Sequence, residues 1–234
     1  YLAAVLEHAG LEVKIFDLYP DLPETDDPVI LDQQLAELIA REQPAIVGIT
    51  IHTPAYAERI RLAKLIRERL PSSLLIAGGH HPTAEPVELL RNSEFDICVV
   101  GEGEETLLEI ARGVEKDNHR STGEWLRPVP GIVYKYQNQI ISNQLRLPPA
   151  NLDALPFLAH NLLGLENYVP HPGLGIKSTG LITYRGCIAR CAFCLNPQGN
   201  FIRERSPVKV VDEIQTVVNN FGINGFNIYD NLWA

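Results

Sequence analysis

Three cysteines in the second half of the chain constrain it more than any other feature. Cys187, Cys191 and Cys194 fall within eight consecutive positions, so one short loop can bring all three sulfurs to the same inorganic centre. A structural zinc site needs four nitrogen or sulfur ligands and is coordinatively closed. A four-iron cluster held by three cysteines instead leaves one iron open to a small molecule. The triplet therefore predicts an iron–sulfur centre at which chemistry can occur.

Two other interpretations of the triplet remain open on the residues alone. The three thiolates could bind zinc together with a distant histidine such as His171, or they could be buried thiols. The fourth cysteine, Cys98, lies in an apolar strand pattern, which is typical of a small buried hydrophobic residue. With a single cysteine outside the triplet there is no disulfide framework, and this favours a reducing, cytoplasmic location.

The composition is that of an ordinary globular protein and disfavours two classes of partner. With 234 residues, 45% of them hydrophobic and 21% charged, we expect one large or two modest domains. The net charge of -9 argues against binding to nucleic acid or to anionic membranes. We find no apolar run long enough to span a bilayer and no signal peptide. Because the chain begins with Tyr1, lacks methionine and stops just after a predicted strand, we expect a fragment or a processed product.

Strand and helix patterns alternate through the first half. The run 45–51 is apolar throughout, which predicts a strand covered on both faces, whereas 11–16 alternates like a strand with one wetter face. Short connections between alternating elements predict an α/β fold with a doubly wound, Rossmann-like parallel sheet. The predicted strands are 11–16, 45–51, 74–77 and 96–100, and the predicted helices are 1–8, 31–39, 57–70, 86–90 and 105–111.

Small and polar residues follow three of the predicted strands, where an open parallel sheet binds its ligands. Glycines let a bulky ligand approach the backbone, and hydroxyl and imidazole groups can hydrogen-bond its rim. Taken singly, each segment is also compatible with an ordinary turn. The candidate binding residues are Thr50, His52, Thr53, Gly78, Gly79, His80, Gly101, Glu102 and Gly103.

The cysteine segment resembles the radical S-adenosylmethionine (SAM) family. Its spacing is C-x3-C-x2-C with Phe193 just before the last cysteine, and it departs from many members by carrying Ile188 in place of proline. The resemblance implies that Cys187, Cys191 and Cys194 ligate a 4Fe-4S cluster. It also implies that Phe193 lies at the adenine of SAM, and that an electron from the cluster cleaves SAM to a 5′-deoxyadenosyl radical.

The glycine segments resemble the cobalamin (B12)-binding domain that precedes the radical SAM domain in a large subfamily. Gly-Gly-His-x-Pro-Thr at 78–83 and Gly-Glu-Gly-Glu at 101–104 match the segments that follow the last two strands of that domain. The resemblance makes the nine residues named above candidates for binding cobalamin. The Asp-x-His-x-x-Gly motif of other cobalamin enzymes is absent, so no histidine is assigned to the cobalt.

The second half resembles the linker and the first barrel units of the same subfamily. A hairpin pattern at 131–142 and an "NLD-LP" stretch at 151–156 correspond to its linker. Residues 179–184 predict the first strand of a (β/α) barrel, which places the cysteine loop at the carboxyl end where such barrels build their sites. We therefore predict a cobalamin-binding domain at 1–118, a linker at 119–170 and the start of a radical SAM barrel at 171–234.

Two details of the barrel segment follow from local pattern. Ser206 and Pro207 predict the start of a helix, and 226–229 predicts a second strand. Family members commonly end that strand with an Asp-Asp pair, whereas Tyr229 and Asp230 stand here, so a cofactor role for Asp230 rests on weaker grounds. The helix is expected to bury an apolar face formed by Val210, Val211, Ile214, Val217 and Val218.

The resemblance implies a cobalamin-dependent radical SAM enzyme, of the class B methyltransferase or the anaerobic magnesium-protoporphyrin ester cyclase kind. Its cofactors would be a 4Fe-4S cluster, SAM and cobalamin. Its partners would be a small-molecule substrate and an electron donor such as flavodoxin or ferredoxin. One alternative is a radical SAM enzyme whose first domain binds no cobalamin. Another is a non-catalytic iron–sulfur electron-transfer or sensor protein, although such clusters normally have a fourth cysteine.

Overall fold

The structure is a computed structural model that describes residues 1–17, 27–117, 121–168, 170, 173 and 175–231. Its described residues form two compact units. The first, called the sheet unit, comprises 27–147 with Leu2, and the second, called the cysteine-loop unit, comprises Tyr1, 3–17 and the residues from 148 onward. These limits differ from the three predicted domains, which stay a prediction. No helix within the described ranges has the length and apolarity to cross a bilayer.

The sheet unit is built on a five-stranded mixed sheet. Its strands follow one another in the order β1-β2-β3-β4-β5, with the first three parallel and the last two forming an antiparallel hairpin. The register places Thr50 opposite Gly78 and Ala77 opposite Cys98. The carboxyl ends of the three parallel strands therefore share one edge. The strands are β1 (Ile46–Thr50), β2 (Leu74–Gly78), β3 (Ile97–Val99), β4 (Ile132–Tyr136) and β5 (Gln139–Ser142).

Helices connect the parallel strands, which confirms the predicted α/β class with a Rossmann-like parallel sheet. Helix α2 shows why these segments become helical: the Asp27 side chain accepts a hydrogen bond from the Val29 amide at 2.8 Å, and Pro28 occupies the first turn. The core includes the fully buried Leu74, Ile97 and Ile110. The helices that precede β6 in the chain, in either unit, are α1 (Leu2–His8), α2 (Pro28–Arg41), α3 (Tyr56–Arg69), α4 (His80–Ala84), α5 (Pro86–Arg91) and α6 (Glu104–Asp117).

Two predictions about strands are wrong. Residues 11–16 form no strand, because no other strand among the described residues pairs with their backbone. The expected alternation of side-chain burial is nevertheless observed, with Val13 half-buried between the exposed Glu12 and Lys14. The apolar run 45–51 is not covered on both faces, because Gly48 and Thr50, which lie on the same face of β1, are exposed.

The hairpin that was expected in the linker is instead part of the sheet. Its first strand pairs with β3, with Ile132 opposite Val99. Gln137 and Asn138 form the two-residue turn and both have positive φ, 48° and 63°, as a type I′ hairpin turn requires. The apolar side of β4 covers the core where β3 would otherwise be an edge strand.

The cysteine-loop unit contains a β-α-β element. Strands β6 (Ser178–Leu181) and β9 (Gly225–Ile228) are parallel, and helix α7 (Pro207–Phe221) lies between them in sequence. Ser206 caps α7 by accepting the Lys209 amide at 3.3 Å, and Gly222 ends it in the left-handed conformation. The predicted strand 179–184 is divided in two, because the chain bends after Leu181 and then forms the short ladder of β7 (Tyr184–Arg185) with β8 (Arg203–Glu204).

The buried face of α7 differs from the predicted one. Val217 is buried, but Val211 and Val218 are 48% and 36% exposed, and the fully buried side chain is that of Glu213. One carboxylate oxygen of Glu213 lies 2.6 Å from Arg205, and the other accepts the Leu158 amide at 2.8 Å. The apolar pattern did not predict the burial of Glu213, because an acidic residue on a helix is normally solvated. Through the Leu158 amide, the Glu213 side chain joins the 151–168 segment to the middle of α7.

Cys98 is buried, as its sequence context predicted. Its side chain is fully excluded from solvent, and its sulfur lies 3.6 Å from the carbonyl oxygen of Pro86. Burial raises the pKa of the Cys98 thiol to about 12. The other three cysteines are free thiols, with Cys187 half-buried and Cys191 and Cys194 exposed.

We expect alkylation to separate Cys98 from the other cysteines. At pH 8 the thiolate fraction of Cys98 is on the order of one in ten thousand for a pKa near 12, and the thiolate is the reactive form. Treatment of the metal-free chain with iodoacetamide should modify three cysteines in the native state and all four in urea, as measured by intact mass and peptide mapping. Native modification of Cys98 at the rate of Cys194 would contradict the placement of β3.

A second prediction concerns Gly113, within helix α6. A methyl group at this position would lie 2.6 Å from a ring carbon of Trp125. Gly→Ala in a helix normally stabilises by roughly 1 kcal/mol, but overpacking costs roughly 1–3 kcal/mol. Gly113→Ala should therefore lower the free energy of unfolding in urea titrations. The same substitution should raise it in a Trp125→Leu background, and a loss of equal size in both backgrounds would refute the contact.

Candidate functional site

The residues that follow β1, β2 and β3 meet at the carboxyl edge of the sheet. The Ile51 amide donates to the Gly78 carbonyl oxygen at 2.8 Å, and the His81 amide donates to the Ile51 carbonyl oxygen at 3.1 Å. The segment after β1 is thereby joined to the segment after β2. Because neighbouring parallel strands end at one edge, side chains far apart in the sequence come together here.

Glycine is required at one point of this edge and leaves open space at two others. Gly79 has φ +102°, and a Cβ there would lie 3.1 Å from the Ile51 carbonyl oxygen and 3.2 Å from the Thr50 methyl group. A Cβ at Gly78 or Gly101 would meet no atom within 4 Å. The backbone at these two positions is thus accessible to a bulky ligand, which fits the cobalamin prediction.

Thr83 connects the two glycine segments, and the sequence analysis did not single it out. Its hydroxyl donates to the Gly79 carbonyl oxygen at 2.8 Å and accepts the Gly101 amide at 3.1 Å. One side chain therefore holds the segments after β2 and β3 in a common arrangement. The signal that could have found it is its place at the end of the Gly-Gly-His-x-Pro-Thr run, four residues after Gly79.

The histidines of this edge fall into two groups. His52 and His80 are exposed, with ring centroids 5.2 Å apart. His81 is half-buried, with Nδ1 3.2 Å from the Thr53 hydroxyl and its ring 4.7 Å from that of Tyr56. His81 is therefore engaged within the protein, whereas His52 and His80 are open to a ligand. Among the remaining candidates, Glu102 and Gly103 are half-buried beside Gly101.

The cysteine loop, residues 186–202, lies between β7 and β8. Phe193, the predicted adenine contact, is 92% exposed. The Cys187 amide donates to the Gly199 carbonyl oxygen at 3.1 Å, and the Cys194 amide donates to that of Cys191 at 3.0 Å. In the part of the chain that the structure describes, no group of three Cys, His, Asp or Glu side chains could hold a metal ion. His171, the alternative zinc ligand, lies outside the described residues.

The donor set of this loop still fits an iron–sulfur cluster. A single tetrahedral ion needs its ligands at one point, whereas a cubane cluster distributes its cysteine ligands over separate irons. Three free thiols on one loop, two of them exposed, are chemically suited to that role. The role of the three cysteines and of Phe193 stays a prediction.

The two ends of the loop are held firmly. Gly186 has φ +95°, and a Cβ there would lie 1.9 Å from the carbonyl oxygen of Phe201, so no other residue fits. The Asn196 side-chain amide donates to the carbonyl oxygens of Cys187, at 3.0 Å, and Gly199, at 2.7 Å. Asn196 was not identified from the sequence, because a polar residue in a loop gives no local signal of the carbonyl groups that it will bind.

Comparison with known proteins places these observations in a family. Residues 1–111 match the family model described as the B12 binding domain. The chain is 30% identical over 235 residues to the anaerobic magnesium-protoporphyrin IX monomethyl ester cyclase of Cereibacter sphaeroides, covering 98% of the chain and 36% of the relative. It is 26% identical over 165 residues to the cobalamin-dependent radical SAM methyltransferase TokK of Streptomyces tokunonensis, covering 69% of the chain and 23% of the relative.

A solved structure shows the same fold. The radical S-adenosylmethionine methyltransferase TsrM of Kitasatospora setae, solved with cobalamin and a [4Fe-4S] cluster bound, superposes with a TM-score of 0.70 at 20% identity. The match covers 98% of this chain and 44% of TsrM, so the chain spans less than half the length of each protein compared here. The resemblance predicted from the cysteine and glycine segments is therefore confirmed: the chain is related to the B12-binding radical SAM proteins, with a B12 binding domain at residues 1–111.

Proposed function

We propose that the chain is the cofactor-binding part of a cobalamin-dependent radical SAM enzyme. The observation that carries the proposal is the occurrence, in one chain, of two sites that each follow the carboxyl ends of parallel strands. One is the open glycine edge of the sheet unit, and the other is the anchored three-cysteine loop after β6. The relatives support this, since one is an anaerobic magnesium-protoporphyrin IX monomethyl ester cyclase and another is a cobalamin-dependent radical SAM methyltransferase.

In the sheet unit, we assign cobalamin to the edge formed after β1, β2 and β3. Gly78 and Gly101 would allow the corrin ring close to the backbone, and Gly79 would keep the segment after β2 tight against β1. Thr83 would keep the two glycine segments in register. The remaining assigned contacts are Thr50, His52, Thr53, His80, Glu102 and Gly103.

In the cysteine-loop unit, we assign Cys187, Cys191 and Cys194 to a 4Fe-4S cluster and Phe193 to SAM. When bound, such a cluster would supply one electron to SAM, which would release methionine and a 5′-deoxyadenosyl radical able to abstract hydrogen from an unreactive carbon. The protein's own contribution is positional. Gly186 and Asn196 hold the base of the loop, so the three thiols need to be ordered only over the exposed segment between them.

The reaction class that follows is radical methylation or oxidative cyclisation of a small molecule. Relatives of both kinds are known, an ester cyclase and a methyltransferase, so we propose the shared radical step. An external one-electron donor, such as flavodoxin or ferredoxin, would be required, and we place the protein in the cytoplasm. The substrate would be selected by residues beyond the two cofactor sites.

Corrinoid binding tests the assignment of the sheet edge. Anaerobically prepared chain should retain hydroxocobalamin, followed by its absorbance after gel filtration. Gly78→Leu should weaken binding by at least about tenfold, since the side chain fills open space that the corrin ring needs. Ser142→Leu is the matched control, because it adds the same side chain at an exposed position of β5, on the far edge of the sheet.

Three outcomes of that titration are informative. Loss of binding in Gly78→Leu alone, with unchanged circular dichroism, supports the assignment. Equal binding by all three proteins would show that cobalamin binds elsewhere. A parent chain that retains no corrinoid would favour the radical SAM alternative without cobalamin.

Metal analysis tests the cysteine assignment. After anaerobic reconstitution with iron and sulfide, the parent should hold about four irons per chain, as a cubane cluster requires, and Cys187→Ala almost none. Cys98→Ala is the matched control, since it removes a buried thiol from the sheet unit and should leave the iron content unchanged. One zinc per chain in the purified parent, or equal iron in Cys187→Ala, would refute the cluster.

A further inference from the structure

Two residues that follow β9 contact the chain on both sides of the three cysteines. We call residues 182–185, before the cysteines, the entry arm and residues 195–202, after them, the exit arm. Asp230 and Asn231 come directly after the strand pair β6–β9, whose ladder is extended by the Tyr229 amide donating to the Leu181 carbonyl oxygen at 2.9 Å. Because the two strands are parallel and in register, the residues after β9 lie beside those after β6. The chain after β6 leads directly into the cysteine loop.

The Asp230 carboxylate holds the entry arm of the loop. One oxygen accepts the Thr183 amide at 2.8 Å and the Tyr184 amide at 3.3 Å. The other oxygen accepts the Thr183 hydroxyl. Three donors from two successive residues thus converge on one carboxylate, and hydrogen bonds to an ionised acceptor are stronger than neutral ones.

The Asn231 side chain holds the exit arm. Its amide donates to the side-chain oxygen of Gln198 at 3.1 Å, and the same oxygen accepts the Gly186 amide at 3.3 Å. Gln198 is also held through its backbone carbonyl oxygen, which accepts a guanidinium hydrogen bond from Arg203 at 3.0 Å. Gln198 therefore joins Asn231 to the position just before Cys187.

We infer that Asp230 and Asn231 form a clasp that positions the cysteine loop and slows the loss of the centre bound there. The inference rests on the proposed function, because it needs a cluster on Cys187, Cys191 and Cys194. Asp230 is a positioning residue in this scheme: its carboxylate is occupied by the entry arm and acts on the cluster through Thr183. Because Cys191 and Cys194 are exposed, the segment that carries them is restrained through the two arms at its ends.

The test is the lifetime of the reconstituted cluster under challenge by an excess iron chelator, followed by its visible absorbance. Asp230→Ala should shorten the half-life by about tenfold, as expected for loss of a charge-assisted contact. Thr183→Val, which keeps the shape but removes the hydroxyl, should shorten it in the same direction. Thr183→Ser keeps the hydroxyl and should restore the parent half-life. Asp212→Ala, an equal charge change at an exposed position of α7, should have no effect.

Further readouts separate positioning from general destabilisation. Cobalamin binding by the sheet unit should match the parent in every variant, and circular dichroism should show that each metal-free variant remains folded. The electron paramagnetic resonance spectrum of the reduced cluster should change in Asp230→Ala and Thr183→Val but not in Thr183→Ser. Equal half-lives and spectra in parent and Asp230→Ala would overturn the clasp alone. A parent that binds no iron would remove the proposed function and the clasp with it.

Discussion

Parallel pairing of strands is the constraint on which both candidate sites depend. In a parallel pair both strands end on the same side of the sheet. The segments that follow the two strands therefore lie close together although they are distant in sequence. In the sheet unit this brings Thr50 beside Gly78, and it brings the segment after β3 beside the segment after β2. In the cysteine-loop unit it brings Asp230 beside Thr183, 47 residues earlier. Without the ladders, neither set of residues would be neighbours.

Close backbone approach then determines which residues are tolerated within each site. Gly79 and Gly186 have positive φ, and a Cβ at these positions would lie 3.1 Å and 1.9 Å, respectively, from a carbonyl oxygen of another segment. In both cases a glycine lets one loop lie against another segment. At Gly78 and Gly101 the space above the backbone is open, although Gly101 also has positive φ, +81°. The same residue type therefore serves internal packing at some positions and access for a ligand at others.

Local elements were predictable from the sequence, and long-range contacts were not. The apolar runs of β1 and β2 and the Ser206 cap are encoded by neighbouring residues, and the structure places them within a residue of the prediction. The failures involve partners. Residues 11–16 have a strand pattern without a paired strand, and β4 joins β3 although hairpin sequences carry no information on which edge they cover. Glu213 is buried only because Arg205 and the Leu158 amide compensate its charge.

The cysteine loop shows why ligand residues can be recognised from sequence while their geometry cannot. The spacing of Cys187, Cys191 and Cys194 is a sequence property, but the described sulfurs form no group that could hold a single ion. The hydrogen bonds in the loop act mainly on its base, through Gly186, Asn196 and Gln198. Metal binding contributes free energy that can order its own ligands. The fixed ends of the loop therefore limit the positions that the three sulfurs can reach. The bound centre would determine their final arrangement.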